Sequence, residues 1–211
     1  MAVTIEELVV ADEPGAWAGA GFALDGDTAV VGDLRIRAAG AAAGSGLVGW
    51  ALRGAATTEL DGLPTSASDR PPPAAAPDHP NGVARLDHVV AITPRLERTV
   101  AALEAAGLDL RRIREEPTPA GAPRQAFFRL GGAILEVVQE PADVAARNGP
   151  DRRAFFWGLA FLCPDLEASV AALGPDRVGA ARDAVQPGRR IATLRRAAGL
   201  ALPVALISPR P

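Results

Sequence analysis

Two polar residues interrupt apolar runs that read as strands. His88 sits in Leu86-Asp-His-Val-Val-Ala-Ile92, and Glu136 sits in Ile134-Leu-Glu-Val-Val138. Side chains alternate along an extended chain, so the spacing places Leu86, His88, Val90 and Ile92 on one face and Ile134, Glu136 and Val138 on another. A carboxylate among apolar neighbours is costly unless it is paired or on a metal. Two chemistries meet that demand: a site where His88 and Glu136 hold a metal or move a proton, or a plain satisfied pair, with Glu136 on an arginine and His88 on a carbonyl. A second set has the same alternation. Gln125, Phe127 and Arg129 alternate with Ala126, Phe128 and Leu130, and an amide, a ring and a guanidinium on one face suit the orientation of a carboxylate or phosphate; a solvated outer face reads equally well. Phe155, Phe156 and Trp157 supply aromatic surface to a core or to a ligand, with Trp157 the candidate for the latter. Gln186-Pro-Gly-Arg-Arg190 reads first as a hairpin turn, from which Gln186 and Arg189 or Arg190 reach an anion.

What the chain lacks narrows the chemistry further. All 22 basic residues are arginine, which excludes a Schiff-base lysine and the lysine-containing phosphate loop. One cysteine, Cys163, excludes an internal disulfide and paired-cysteine zinc sites; two histidines, His79 and His88, exclude a centre of three imidazoles from one chain. Cys163 precedes Pro164 at an expected helix start, without a histidine nearby to make it a nucleophile. Gly40 to Gly46 is a flexible turn, and scattered arginines alone do not make a nucleic-acid surface. The charge is divided: residues 1–82 hold 11 acids and 4 arginines, residues 83–211 hold 14 acids and 18 arginines. That split suits an anion-handling C-terminal part, or two parts docked on each other's charge. With no apolar run near the ~20 residues of a membrane span and no secretory-type N-terminus, the expected location is the cytoplasm.

Three segments position these residues. Residues 62–82, with six prolines, read as an extended linker in which His79 is solvated. After it, Leu86–Ile92 is a strand, Thr93 and Pro94 open a helix that Gly107 ends, and strands are expected over 108–114, 125–130 and 133–139. This βαβββ unit recurs. With an offset of 70 and no gap, residues 87–103 align with 157–173 at seven identical positions of 17, including the Pro-x-Leu-Glu helix start, and strands at 177–185, 189–195 and 203–208 complete the copy. The expectation is an α+β protein whose domain at 83–211 pairs two βαβββ units, 83–149 and 150–211, in one curved sheet. Residues 1–61 are β-rich: strands at 5–11, 22–24, 28–31, 34–37 and 47–52 and a short helix at 14–19, either a degenerate third unit or an unrelated appendage.

Tandem βαβββ units with Leu-Asp-His-Val-Val opening one unit and Ile-Leu-Glu-Val-Val closing it resemble the vicinal-oxygen-chelate superfamily, which includes glyoxalase I, methylmalonyl-CoA epimerase, extradiol dioxygenases and the bleomycin-resistance proteins. The resemblance implies a half-barrel with one divalent metal (Zn, Ni, Mn, Fe or Co), held by a His or Gln from the first strand and a Glu from the last strand of each unit. His88 and Glu136 match the first unit's pair. The second unit departs from the pattern, because its positions fall on Gly158 and Ala205; Gln186, Asp183 or His79 would have to complete the set. The implied function is that of a glyoxalase-like small-molecule protein. It is either an enzyme, a metal-assisted lyase or isomerase with Glu136 as catalytic base or else a dioxygenase, or a metal-free binding protein; a third reading has the acidic N-terminal region plug the cavity. Gln125, Phe127, Arg129, Trp157, Gln186 and Arg190 are the expected ligand contacts. The expected partner is a small molecule, neither nucleic acid nor membrane, for a monomer or a homodimer.

Overall fold

The structure is a computed structural model and describes residues 2–73, 75–118 and 121–210. The N-terminal part holds β1 (Thr4–Val10), α1 (Pro14–Gly19), β2 (Thr28–Val31), β3 (Leu34–Ala38), β4 (Leu47–Arg53) and β5 (Thr65–Ala67). After it come β6 (Arg85–Thr93), α2 (Leu96–Ala105), β7 (Asp109–Arg114), β8 (Gln125–Leu130) and β9 (Ala133–Gln139), then a connecting helix α3 (Ala142–Asn148). The last unit holds β10 (Phe155–Leu162), α4 (Leu166–Leu173), β11 (Arg182–Asp183), β12 (Arg190–Thr193) and β13 (Val204–Ile207).

Both βαβββ units are present and share one eight-stranded sheet in the order β11-β12-β13-β10-β6-β9-β8-β7. In each unit the first strand runs parallel to the last, β6 beside β9 and β10 beside β13, and the units join through antiparallel β6 and β10. The helices begin later than the proline spacing suggests. Thr93 Oγ1 accepts from the Arg95 amide (3.1 Å) and turns the chain ahead of α2, while Asp165 caps α4 by accepting from the Ala168 amide (2.9 Å). Cys163 is therefore a buried residue at the end of β10, whose amide donates to Ile207 O (2.9 Å), and not a helix-start thiol. Of the strand expected over 177–185, only Arg182–Asp183 forms, because Pro175 and Gly179 leave the preceding stretch to a single bridge between Val178 and Leu194.

Residues 2–67 build a second sheet, β2-β3-β1-β4-β5, whose pairing repeats the C-terminal one. β1 and β4 are antiparallel, with Glu7 opposite Ala51 and Val9 opposite Gly49, just as His88 lies opposite Ala160 and Val90 opposite Gly158. The same two extra residues recur. Glu6 and Asp87 are inserted in the first strand of each pair, Val48 and Trp157 in the second. β1 runs parallel to β3 and β4 parallel to β5, and the amides of Trp50 and Leu159 donate to the carbonyls of Pro64 (3.1 Å) and Pro203 (3.0 Å) at matching positions. The N-terminal region thus has the layout of two shortened units, with β5 inside the stretch that composition marks as linker. The expected strand at 22–24 does not form; Phe22 is a core residue, packed on Trp17 and Phe161 with ring centroids 4.8 and 5.2 Å away.

The inner faces of the two sheets meet in one core. Ile5, Leu8 and Val10 of β1, Trp17 of α1 and Trp50 of β4 join Leu86, Val89 and Ala91 of β6 and Leu159 and Phe161 of β10. Burying such side chains contributes roughly 1.5–3 kcal/mol each. Three buried polar residues fasten the segments between the sheets. Asp61 accepts from Arg98 Nε (2.8 Å), Arg153 Nη1 (3.1 Å) and Thr99 Oγ1 (2.5 Å). Asn81 donates to Ala20 O (2.9 Å). His79, expected in solvent, is buried: its Nδ1 accepts from the Ala23 amide (3.0 Å) and its Nε2–H donates to Val30 O (2.9 Å). The N-terminal region packs on the inner face of the large sheet at β10, with α2 against β7, β8 and β9 and α4 against β12, so it does not plug the opposite face. Among the described residues no helix is long and apolar enough to cross a membrane.

Candidate functional site

The outer face of the eight-stranded sheet is organised in three cross-strand rows. The first runs Arg129, Ile134, His88, Ala160, Ala205, Thr193; the second Arg112, Phe127, Glu136, Val90, Gly158; the third Arg114, Gln125, Val138, Ile92, Phe155. Neighbours in a row are about 4.8 Å apart and successive rows about 6.8 Å. His88 and Glu136 are therefore diagonal neighbours, with Nε2 and Oε2 3.8 Å apart. Gln125 donates its amide to Glu136 Oε1 from the next strand.

His88 owes its surroundings to the extra residue in β6. Leu86 pairs with Phe161 and His88 with Ala160, which leaves Asp87 without a partner across the ladder. Leu86 thereby turns into the core, 2% exposed, instead of sharing the face of His88 as strict alternation predicts. The same insertion brings the Asp87 carboxylate back along the outer face, where Oδ1 lies 2.8 Å from His88 Nδ1. Asp87 is held from its other side by Arg189, whose Nη2 donates to Oδ2 (2.6 Å) and Nη1 to Oδ1 (3.3 Å). Arg189 is itself fully engaged, its Nη1 also donating to Gln186 Oε1 (2.9 Å) and its Nε to Ser208 O (2.8 Å). A continuous polar chain results: Arg189, Asp87, His88, Glu136, Gln125.

The charges along this chain are unequal. Burial raises the proton affinity of Asp87, but hydrogen bonds from His88 and Arg189 more than offset it and hold the carboxyl well below the usual range. For Glu136 burial prevails. Its carboxyl is pushed above the usual range, only partly countered by the charge of His88, the Gln125 amide and the guanidiniums of Arg112 and Arg114. Glu136 therefore holds a proton more readily than a solvated glutamate, among Val90, Val138, Ile134 and Ile92. Arg112 lies over the Phe127 ring, 4.7 Å from its centroid, on the same side as Arg114 and Arg129.

Of the residues singled out in the sequence, the structure brings His88, Glu136, Gln125, Phe127 and Arg129 into adjoining positions. Trp157 is the extra residue of β10, 47% exposed beyond the second row. Gln186 joins through Arg189. Arg190 does not join: it pairs with Glu167 of α4 and donates to Ala181 O (2.8 Å), on the helix side of the sheet. Arg189, expected to reach an anion, instead holds Asp87. Arg112, Arg114 and Asp87 carry the site without having stood out in the sequence. Their signals were present, an Arg-Arg-Ile-Arg run in a strand and an acid next to the buried histidine, but their directions depend on insertions at Arg111 and Asp87.

The sheet register also fixes where second-unit metal ligands would stand. His88 lies opposite Ile134, two residues before Glu136; Leu159 lies opposite Val204, so Gly158 is beside Pro203, two residues before Ala205. Gly158 and Ala205 are thus the register counterparts of His88 and Glu136. A Cβ on Gly158 would stand 2.7 Å from Pro203 O, a backbone atom, so that position has no room for a ligating side chain. His79 is buried elsewhere, Asp183 is exposed in β11, and among the described residues no group of three His, Cys, Asp or Glu side chains is placed to hold a metal ion. Two donors, one of them already accepting from Gln125, do not fit an open divalent centre, which takes at least three.

No family model matches the chain, and no curated protein matches it. Solved structures do. A xylose isomerase-like TIM barrel/4-hydroxyphenylpyruvate dioxygenase fusion protein is 14% identical over 98% of this chain and 49% of that one, with a TM-score of 0.60. Methylmalonyl-CoA epimerase from Mycobacterium tuberculosis is 20% identical over 62% of this chain and 91% of its own, with a TM-score of 0.49. The Streptomyces coelicolor enzyme in complex with 2-nitronate-propionyl-CoA is 20% identical over 60% and 94%, with a TM-score of 0.47. The likeness to the fusion protein spans both sheets, and together with the paired βαβββ units it identifies the fold of this chain as that of the vicinal-oxygen-chelate superfamily.

Proposed function

We propose that the outer face of the eight-stranded sheet is a metal-independent site for a small, oxygen-rich anion. One observation carries the reading: Glu136 and His88 stand in an apolar floor flanked on one side by Arg112, Arg114 and Arg129, while the positions that would complete a metal centre are Gly158 and Ala205. The guanidiniums attract and orient a carboxylate or phosphate. Glu136, whose carboxyl burial pushes above the usual range, faces the ligand from the floor, and Trp157 and Phe155 cover the apolar remainder. A second reading rests on the same raised proton affinity: with Nε2 of His88 3.8 Å away, Glu136 is suited to take a proton from carbon beside a carbonyl.

The test is calorimetric titration with 2-oxo acids, dicarboxylates and acyl thioesters in excess chelator. An aromatic 2-oxo acid belongs in the set, since one fold neighbour is described as a 4-hydroxyphenylpyruvate dioxygenase fusion. Saturable binding in chelator, weakened about 10- to 100-fold in Arg112→Ala, is expected from the loss of a charge-assisted hydrogen bond. Binding that vanishes with chelator, or that is unchanged in both Arg112→Ala and Glu136→Gln, overturns the proposal. Exchange of ligand C–H for deuterium that disappears in Glu136→Gln distinguishes turnover from binding alone.

A further inference from the structure

Arg35 is a buried charge without a counter-charge among the described residues. It is 9% exposed, and its Nη2 donates to Pro71 O (2.9 Å), but its Nη1 is buried with no partner among the described residues. Among the described residues no carboxylate lies within ion-pair reach of it. Arg189, also buried, shows the contrast, because Asp87, Gln186 and Ser208 occupy its donors. A desolvated guanidinium with an unused donor costs several kcal/mol unless an acceptor reaches it.

Its place in the fold is equally specific. Arg35 lies opposite Glu7, and Arg37 stands two residues on, so Glu7 and Arg37 hold the positions in the N-terminal sheet that His88 and Glu136 hold in the large one. The outer face of this sheet gathers Arg35, Arg37, Arg53 and Arg70. Facing them are Glu7, 3.4 Å from Arg37 and 3.9 Å from Arg70, Glu6, 2.8 Å from Arg53, and Asp69. Four guanidiniums against three carboxylates leave one positive charge over, at Arg35.

What covers this face is the chain itself. Residues 68–73 cross it, with Arg70 O accepting from Arg53 and Pro71 O from Arg35. The cover is lightly fixed. The Ser68 amide donates to Leu52 O (2.9 Å), but Pro71, Pro72 and Pro73 have no N–H to add to the sheet, and Asp69 to Pro72 are exposed. The two carbonyls stand where oxygens of a ligand would.

We propose that Arg35 anchors a second ligand site, on the outer face of the N-terminal sheet, which takes the carboxylate or phosphate group of a small molecule when residues 68–73 move aside. The experiment is a thermal-shift titration of the full chain with inorganic phosphate and, separately, with citrate, ionic strength being held constant with chloride. Hydrogen exchange of residues 65–70 is followed in parallel. A ligand that binds the folded state raises Tm in a saturable way. The expected result is such a rise with at least one anion in the wild type and in Arg112→Ala, which weakens the other site's response about 10- to 100-fold, and faster exchange at 65–70 as the cover leaves. In Arg35→Met the anion affinity falls at least about tenfold. That variant loses an uncompensated buried charge, so its ligand-free Tm is expected to equal or exceed that of the wild type; should it not fold, Arg35→Lys, which keeps the charge without the forked donors, is expected to weaken the response. A response to phosphate alone assigns a phosphate ester, and one to citrate alone a carboxylate. An undiminished response in Arg35→Met, or no saturable response to either anion in the wild type, overturns the proposal.

Discussion

Breaking the Asp87–Arg189 pair is the perturbation whose size the structure defines most closely. Arg189 keeps 2% of its side chain exposed and Asp87 12%, and two donors reach the two carboxylate oxygens at 2.6 and 3.3 Å. Removing one partner of a buried pair leaves the other charge desolvated, at about 3–5 kcal/mol. The residual exposure of Asp87, and the Gln186 and Ser208 acceptors left to Arg189, place Asp87→Ala at the lower end, about 3 kcal/mol. For a chain of this length that lowers Tm by roughly 6–12 °C. The double variant Asp87→Ala, Arg189→Met removes both charges and is expected to cost no more than either single change, a coupling of at least about 3 kcal/mol. The pH dependence has a definite sign. Asp87 is held below its unfolded value, so its contribution is complete above about pH 4 and is lost as pH falls further. Calorimetric melting of the four proteins between pH 3 and 7 measures all of this. Strictly additive losses, or a single variant within about 0.5 kcal/mol of the wild type, would refute the buried-pair account.

Three further outcomes follow from other parts of the molecule. Gly158→Ala forces a Cβ to 2.7 Å from Pro203 O and is expected to cost about 1–3 kcal/mol, whereas Gly49→Ala, whose Cβ would stand 3.4 Å from Pro64 O, is expected to be near neutral; urea unfolding compares them. Glu136→Gln keeps the shape but not the charge. Because burial raises the Glu136 carboxyl above its unfolded value, the wild type loses stability as pH rises from about 4.5 through the folded value, so the variant should match it in acid and equal or exceed it at pH 7. His79→Ala loses two hydrogen bonds and the contact with Phe22, about 1–3 kcal/mol. Burial lowers the His79 proton affinity, so in the wild type stability falls as pH drops below about 6.5, and in the variant that slope should be absent.

Much of this architecture is written locally in the chain. The 70-residue offset between 87–103 and 157–173 repeats a short-range pattern, apolar strand, Pro-x-Leu-Glu, amphipathic helix, and such patterns act over a few residues wherever they occur. The strands around His88 and Glu136, and the alternation that places Gln125, Phe127 and Arg129 on one face, are legible for the same reason. Tertiary pairing alone decided the rest. A single inserted residue reverses every side chain beyond it, so whether Leu86 faces the core or the site depends on how β10 aligns with β6, two segments about 70 residues apart. The same insertion turns Asp87 onto His88 and opposite Arg189, a partner 102 residues away that no local periodicity marks. In the N-terminal half the residue types differ from those of the later units while the register, both insertions and the proline carbonyl contact recur, since backbone hydrogen bonds constrain geometry more tightly than they constrain residue type. Buried His79 and Arg35, with one donor on Pro71 O and another unused among the described residues, belong to this class too: the sequence shows a charge or a ring, but only the packed chain determines which acceptors reach it.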